Sequence, residues 1–162
     1  MPYLLKEHNK RWYVVGKREV MGEEFYIYAL DRIISAAYDF EKELFEREEF
    51  HTQSLFSNSM GIFMSWNNSD MKYGPKEKES KDPINISFKV RDGDKFDNIY
   101  YLTTNKIHHT QKESKVDDDG WMKITLKMFP EADLIRVLRG IGVRRNLKDL
   151  KPPFLKKWVE EL

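Results

Sequence analysis

The chain has 162 residues, a formal net charge of +1, 40% hydrophobic residues and no cysteine. This composition is typical of one folded domain or two small ones, and it excludes disulfides, thiolate metal sites and cysteine nucleophiles. No apolar run reaches the roughly 18 residues of a membrane span and no signal peptide opens the chain, so we expect a cytoplasmic protein without membrane contact.

The first predicted element is a β-hairpin. Residues 12–15 and 25–30 are rich in aromatic and β-branched side chains, and Gly16 and Gly22 mark the ends of the connector 16–23. Both faces of each strand are apolar, as expected where one face lines a core and the other packs on a neighbour. Because a lone hairpin is marginal in water, we expect it to pack on the rest of the chain or on a second chain.

The middle of the chain is predicted to connect two units. Residues 39–49 contain six acids against two bases, which is typical of an exposed linker or a solvated face. We expect a short helix over 50–60, a possible strand over 62–66 and a mobile polar loop over 67–83. Residues 39–83 are therefore predicted as linker, short helix and loop.

Residues 84–162 show a regular order of strands and helices. The strongest helix begins near Pro130 and ends at Gly142, with acids in its first turn and arginines in its last. Strands are predicted over 84–90, 107–112, 121–128 and 143–148, and further helices over 96–102 and after Pro152. The order βαββαβ with a terminal helix is typical of a ferredoxin-like domain, so the predicted fold class is α+β.

Several positions occur in the order found in a known family. The N-terminal part, residues 1–38, resembles the WYL domain, which is found in bacterial transcription regulators and named for a Trp-Tyr-Leu triplet; here Val14 replaces the leucine. The second half is similar to the extension that often follows WYL domains. The matching residues are Pro2, Leu4, Leu5, residues 11–14 and 30–33, then residues 109–111, 134–136, Gly142, Pro152 and Leu155.

The resemblance implies that residues 1–38 are part of a small SH3- or Sm-like barrel with a pocket for nucleic acid or a nucleotide-like effector. Arg11, Tyr13 and Arg32 stand at matching positions, and planar cations beside aromatic rings suit phosphates and bases. Tyr26 and Ala29 replace arginines, so this pocket would be less basic. Tyr26 nevertheless belongs to the predicted ligand site.

The resemblance also implies that a strand upstream of Pro2 is missing, and a second copy of the chain could supply it by swapping. Taken singly, the pocket residues have a simpler interpretation, in which Tyr13 fills a strand and Asp31 pairs with Arg32.

Two further sets of polar residues are candidates for ligand contact. His109 and Gln111 are predicted to lie on the polar face of a strand as hydrogen-bonding or effector contacts, and His108 would point to the opposite face, which disfavours a metal site. Near the C-terminus, basic side chains could contact phosphates or simply be solvated. The candidates there are Arg144, Lys148 and Lys156.

No sequence motif indicates catalysis or a cofactor. Acidic pairs lie in exposed segments, and phosphate loops, nucleophile elbows and HExxH patterns do not occur in the sequence. We therefore expect the effector-sensing, dimerising region of a WYL-type regulator, which would contact DNA through a helix-turn-helix upstream of this chain. The alternative is a ligand-free dimerisation module of such a regulator.

Overall fold

The structure is a computed structural model that describes residues 2–17, 25–37, 52–64, 82–142 and 145–161. The chain divides into two compact units, Met1–Ser57 and Asn58–Leu162. Each unit is built on an antiparallel sheet, and neither sheet closes into a barrel within the described residues. The predicted α+β class is confirmed.

The first unit contains a three-stranded sheet of order β1-β2-β3. Its strands are Pro2–His8, Arg11–Lys17 and Phe25–Ala29, followed by a 3-10 helix at Leu30–Arg32 and the short helix α1 at Thr52–Leu55. The predicted hairpin is confirmed, because β2 pairs with β3 in antiparallel register. Residues 18–24, in the predicted connector, and residues 39–49, in the predicted linker, lie outside the described residues.

Strand β1 was not predicted from the sequence. It joins β2 through a two-residue turn at Asn9 and Lys10, whose φ angles of 51° and 63° are those of a type I′ hairpin turn. Asparagine adopts such positive φ angles more readily than most residues, so Asn9 is the available signal. Val15 and Tyr3 are buried in this unit, and the Tyr3 ring packs edge-on against Phe25 at 5.3 Å between centroids.

The second unit is a four-stranded antiparallel sheet of order β5-β6-β4-β7 with its connecting helices. Its elements are β4 Ile84–Val90, α2 Asn98–Thr104, β5 Lys112–Val116, β6 Met122–Met128, α3 Ala132–Ile141, β7 Leu147–Lys151 and α4 Pro153–Glu161. The predicted strands at 84–90 and 121–128 are confirmed, and so is the helix ending at Gly142, whose φ of 94° closes α3.

The core of the second unit lies between one face of this sheet and the helices. Alternate residues of the central strands β4 and β6 are buried, as a strand with one solvated face requires. Helices α3 and α4 add an apolar stripe each. The central buried side chains are Ile86, Phe88, Val90, Ile124, Leu134, Leu138, Leu155 and Trp158.

A buried carboxylate attaches residues 59 and 60 to the start of α3. Glu131, only 3% exposed, accepts a hydrogen bond from the Ser59 hydroxyl at 2.7 Å and another from the Met60 backbone N–H. Phe129 N–H donates to the Asn58 carbonyl at 2.7 Å. These bonds make residues 58–60 part of the second unit.

The predicted strand at 107–112 is wrong, because residues 107–111 form a turn and β5 begins at Lys112. Ile107 and His108 are both buried, which breaks the alternation of a half-buried strand. The backbone N–H of Ile107 donates to the Gln111 side chain and Gln111 N–H donates to the His108 carbonyl. These backbone N–H groups are therefore hydrogen-bonded within the turn and not to a neighbouring strand.

The last predicted strand is displaced along the chain. Residues 143–144 lie outside the described residues, Arg145 and Asn146 form a turn, and β7 covers Leu147–Lys151. The turn forms because the N–H groups of Arg145 and Asn146 both donate to the Gly142 carbonyl.

Smaller differences concern the short elements. Helix α2 begins at Asn98 rather than 96, since the Asp92 carboxylate accepts the Ile99 N–H at its first turn. Helix α1 covers only Thr52–Leu55 of the predicted 50–60, and residues 62–64 are not in a strand. Residues 65–81, which hold most of the predicted loop, lie outside the described residues. No helix in the described ranges has the length and apolar character of a membrane span.

Candidate nucleic-acid interface

The solvated face of the four-stranded sheet carries polar side chains in cross-strand register. Strands β4 and β6 place Asn85 opposite Lys127, and Lys89 opposite Lys123. Because successive side chains on a strand alternate between faces, and their neighbours in sequence are buried in the core, these side chains point away from the helices.

The two outer strands extend this pattern across the sheet. Lys112 on β5 pairs with Thr125, while Lys148 and Lys151 on β7 pair with Lys89 and Ser87. We call the resulting surface the lysine face. It consists of Lys89, Lys112, Lys123, Lys127, Lys148 and Lys151, together with Asn85, Ser87 and Thr125.

The lysines surround an uncharged centre. Adjacent strands lie about 4.8 Å apart, so Lys112 and Lys151 on the outer strands are separated by three strand spacings, or roughly 14 Å. Ser87 and Thr125 lie between them on the inner strands. The surface therefore offers cations on both margins and hydroxyl groups in the middle.

Two shallow grooves run over this surface. The first, of about 690 Å³, is lined by Asn85, Thr125 and Lys127 and extends to His109 and Thr110 at its rim. The second, of about 460 Å³, lies among Lys89, Lys123 and Lys151, includes Asp149 in its lining and reaches Lys156 on α4. Both grooves include Ser87 and Lys123, so they adjoin across the lysine face.

The lysine face has an excess of positive charge. Within the described part of the chain, Lys89 pairs with Asp117 at 3.2 Å, and the other five lysines of the face have no carboxylate partner. A hydrogen bond from the Trp121 backbone N–H, assisted by the Lys89 ammonium, lowers the pKa of Asp117. Asp117 is therefore a carboxylate at neutral pH, and it offsets only one of the six cations.

Trp121 lies beside the lysine face, and two cationic side chains pack on its ring. The Lys148 ammonium is 3.9 Å from the ring centroid and the Arg91 guanidinium is 4.8 Å from it. The indole is only 9% exposed. Trp121 therefore positions cations rather than presenting an open ring.

The sequence candidates near the C-terminus fall on this surface. Lys148 belongs to the lysine face, and Lys156 lines its second groove, where it also lies 3.9 Å from Glu160. Arg144 lies outside the described residues. Five lysines of the face were not among those candidates. For the three that lie on β4 and β6, which are Lys89, Lys123 and Lys127, the alternation with buried residues was visible in the sequence.

In the turn at residues 107–111, one of the predicted contact residues is exposed and the other is buried. His109 is exposed at the rim of the first groove, and its ring packs on that of His108 with centroids 4.1 Å apart, so the two do not point to opposite faces. Gln111 is 4% exposed. Its amide bonds the Ile107 N–H, the Leu102 carbonyl and the Glu113 carboxylate.

The candidates in the first unit are only partly brought together. Arg11 and Tyr13 share one face of β2, and Tyr26 lies on the other face because it pairs with Gly16. Arg11 forms an ion pair with Asp31 at 3.1 Å. Arg32 is exposed in the 3-10 helix.

Comparisons with known proteins leave the family open. Neither the protein-family models nor the curated proteins give a match to this chain.

Proposed function

We propose that this chain is a regulatory region of a WYL-type transcription regulator that binds nucleic acid, and that the lysine face holds the phosphate backbone. The observation that carries the proposal is the register of six lysines on one solvated sheet, of which one is paired with a described carboxylate. Lysine ammonium groups neutralise phosphates without requiring a particular base sequence.

The arrangement of strands supports the family assignment. In the second unit the element order βαββαβ and the strand order β5-β6-β4-β7 agree with a ferredoxin-like extension domain. In the first unit the residues of the WYL-like motif lie on β1, β2 and the 3-10 helix. An SH3-like barrel completed by further strands is part of the proposal.

A nucleotide-like effector is proposed for the first unit, at Arg11, Tyr13 and Arg32. Arg11 is already paired with Asp31, so an anionic ligand that binds there would have to displace the Asp31 carboxylate from the guanidinium. A ligand that makes this exchange could favour one conformation over another, which is the requirement for allosteric control.

A binding experiment tests the lysine face directly. Labelled DNA and RNA oligonucleotides are titrated with the full chain by fluorescence anisotropy at several salt concentrations. The test variant is K123Q/K127Q, and K95Q/K106Q is the matched control, since it removes two lysines outside this face. At about 0.1 M salt each lost phosphate contact lowers affinity by roughly eightfold. We expect a loss of at least tenfold in the test variant alone, and equal losses in both variants would contradict the proposal.

The second candidate function is a ligand-free dimerisation module. It is favoured by Leu5 and Trp12, which share a face of the first sheet and are 53% and 50% exposed. Burial of such side chains is worth about 25 cal/mol per Å² of apolar surface, so a second copy is the natural partner for them. Sedimentation velocity measures the oligomeric state and so tests this candidate. A monomer at micromolar concentration would contradict it, and a dimer that the W12S substitution disrupts would support it.

A further inference from the structure

Building on the proposed function, we infer that the lysine face binds double-stranded nucleic acid and contacts its two phosphate backbones rather than its bases. The inference rests on the side chains that the face lacks and on the positions of those it has.

Sites for single strands combine cations with open aromatic rings on which the unpaired bases stack. None of the nine residues that form the lysine face is aromatic. The adjacent indole of Trp121 is covered by Lys148 and Arg91, and the imidazole of His109 at the rim packs against His108. Unpaired bases would therefore find no exposed aromatic platform on the lysine face, whereas the bases of a duplex are already stacked on each other.

The distribution of charge also fits two backbones better than one. Lys112 and Lys151 lie on the outer strands, roughly 14 Å apart, on either side of Ser87 and Thr125. A single strand presents one line of phosphates and would leave one margin of the face without a partner. The two backbones that flank a groove of a duplex are separated by a comparable distance, about 12 Å for the major groove of B-DNA.

Lys123, Lys89 and Lys148 form a third group of cations along one end of the face. Their contacts with phosphates carry no sequence information. If the five lysines without a carboxylate partner each neutralise one phosphate, affinity should fall by about 500-fold between 50 and 200 mM salt. Affinities for unrelated duplex sequences should agree within about threefold.

The test compares four fluorescent probes of one sequence with the full chain: a 20-base-pair DNA duplex, the corresponding RNA duplex, and a single strand of each. We expect at least one duplex to bind tenfold or more tightly than either single strand, and the two duplex arms identify which nucleic acid is preferred. The variant K112Q/K151Q removes the margin cations and should reduce duplex binding by tenfold or more. Both positions are exposed, and thermal unfolding checks that the variant folds.

The outcomes separate this inference from the proposed function. Single strands that bind as tightly as duplexes, with the same loss in K123Q/K127Q, would overturn the duplex inference and leave the nucleic-acid function standing. Duplex binding that K112Q/K151Q does not weaken would also overturn it. No binding of any probe at 50 mM salt would overturn both, as would binding of phosphatidylserine vesicles in place of nucleic acid.

Discussion

Replacing Gln111 with leucine should destabilise the second unit strongly, because the amide is the centre of the turn that precedes β5. Its oxygen accepts the Ile107 N–H at 2.9 Å, and its nitrogen donates to the Leu102 carbonyl and the Glu113 carboxylate, each at 2.8 Å. Leucine leaves the two backbone groups without these partners in a buried position. Each unsatisfied group costs about 1–3 kcal/mol, so the free energy of unfolding should fall by about 2–6 kcal/mol.

Urea denaturation followed by tryptophan fluorescence measures this change. With a slope of about 1–3 kcal/mol per molar urea, the midpoint should fall by at least about 0.7 M. The matched control is K112Q at the next position, which is exposed and should change stability by less than about 0.5 kcal/mol. Hydrogen exchange of the Ile107 amide should accelerate in Q111L alone. A stability change below about 0.5 kcal/mol, together with altered ligand binding, would refute this account and favour the effector contact that the sequence pattern predicted for Gln111.

Two further predictions concern backbone and charge. Gly142→Ala should lower the free energy of unfolding by about 1 kcal/mol, because residue 142 has a φ of 94° that alanine adopts only with strain. Gly140→Ala should raise the free energy of unfolding by about 0.5–1 kcal/mol, since this helical position has open space for a methyl group. Thermal unfolding of both variants measures the two opposite changes. The pKa of Asp117 is lower in the folded chain than in the unfolded chain. Its carboxylate therefore stabilises the fold at pH values above the ordinary carboxyl pKa, and this stabilisation is lost as the pH falls through the pKa of the folded state. Melting temperatures between pH 6 and pH 2 (roughly the range set by ordinary carboxyl pKa values) should therefore decline less steeply in D117N than in the wild type or in D118N, and parallel curves would contradict this.

The elements predicted correctly are those whose apolar pattern agrees with their packing. In β4, Ile86, Phe88 and Val90 alternate with polar residues, and in α3 an apolar stripe ends at a glycine with positive φ. In both cases the local sequence and the core require the same conformation. Where local sequence preference and core packing agree in this way, the element can be predicted from the sequence without a structure.

The errors occurred where local hydrogen bonds, from side chains or from the backbone, satisfy backbone groups in place of a neighbouring strand. Gln111 replaces a strand partner for Ile107, and the Gly142 carbonyl accepts the N–H groups of residues 145 and 146. A periodic pattern contains no information about such bonds, so the predicted strands at 107–112 and 143–148 began several residues too early. The missed strand β1 had a usable signal at Asn9, which favours the positive φ of a tight turn.

The lysine face could not be assembled from the sequence because its members are distant in the chain. Lys112 and Lys151 belong to the same surface only through the strand order β5-β6-β4-β7. Lys148 and Lys156 could be predicted to act together because they lie close in the chain, but no pattern in the sequence connects them with the lysines of β4, β5 and β6. Strand order is decided by long-range packing, which a single sequence does not reveal.

The two candidate sites differ in how clearly a substitution tests them. A lysine of the face alternates with buried residues, so its replacement by glutamine changes charge without disturbing the core. Arg11→Ala, by contrast, also releases the Asp31 carboxylate from its ion pair and adds an unpaired negative charge near any anionic ligand. A loss of binding in that variant alone would therefore not distinguish a lost contact from a new repulsion. The double variant R11A/D31A removes both charges, so binding that is lost there as well points to a direct contact made by Arg11.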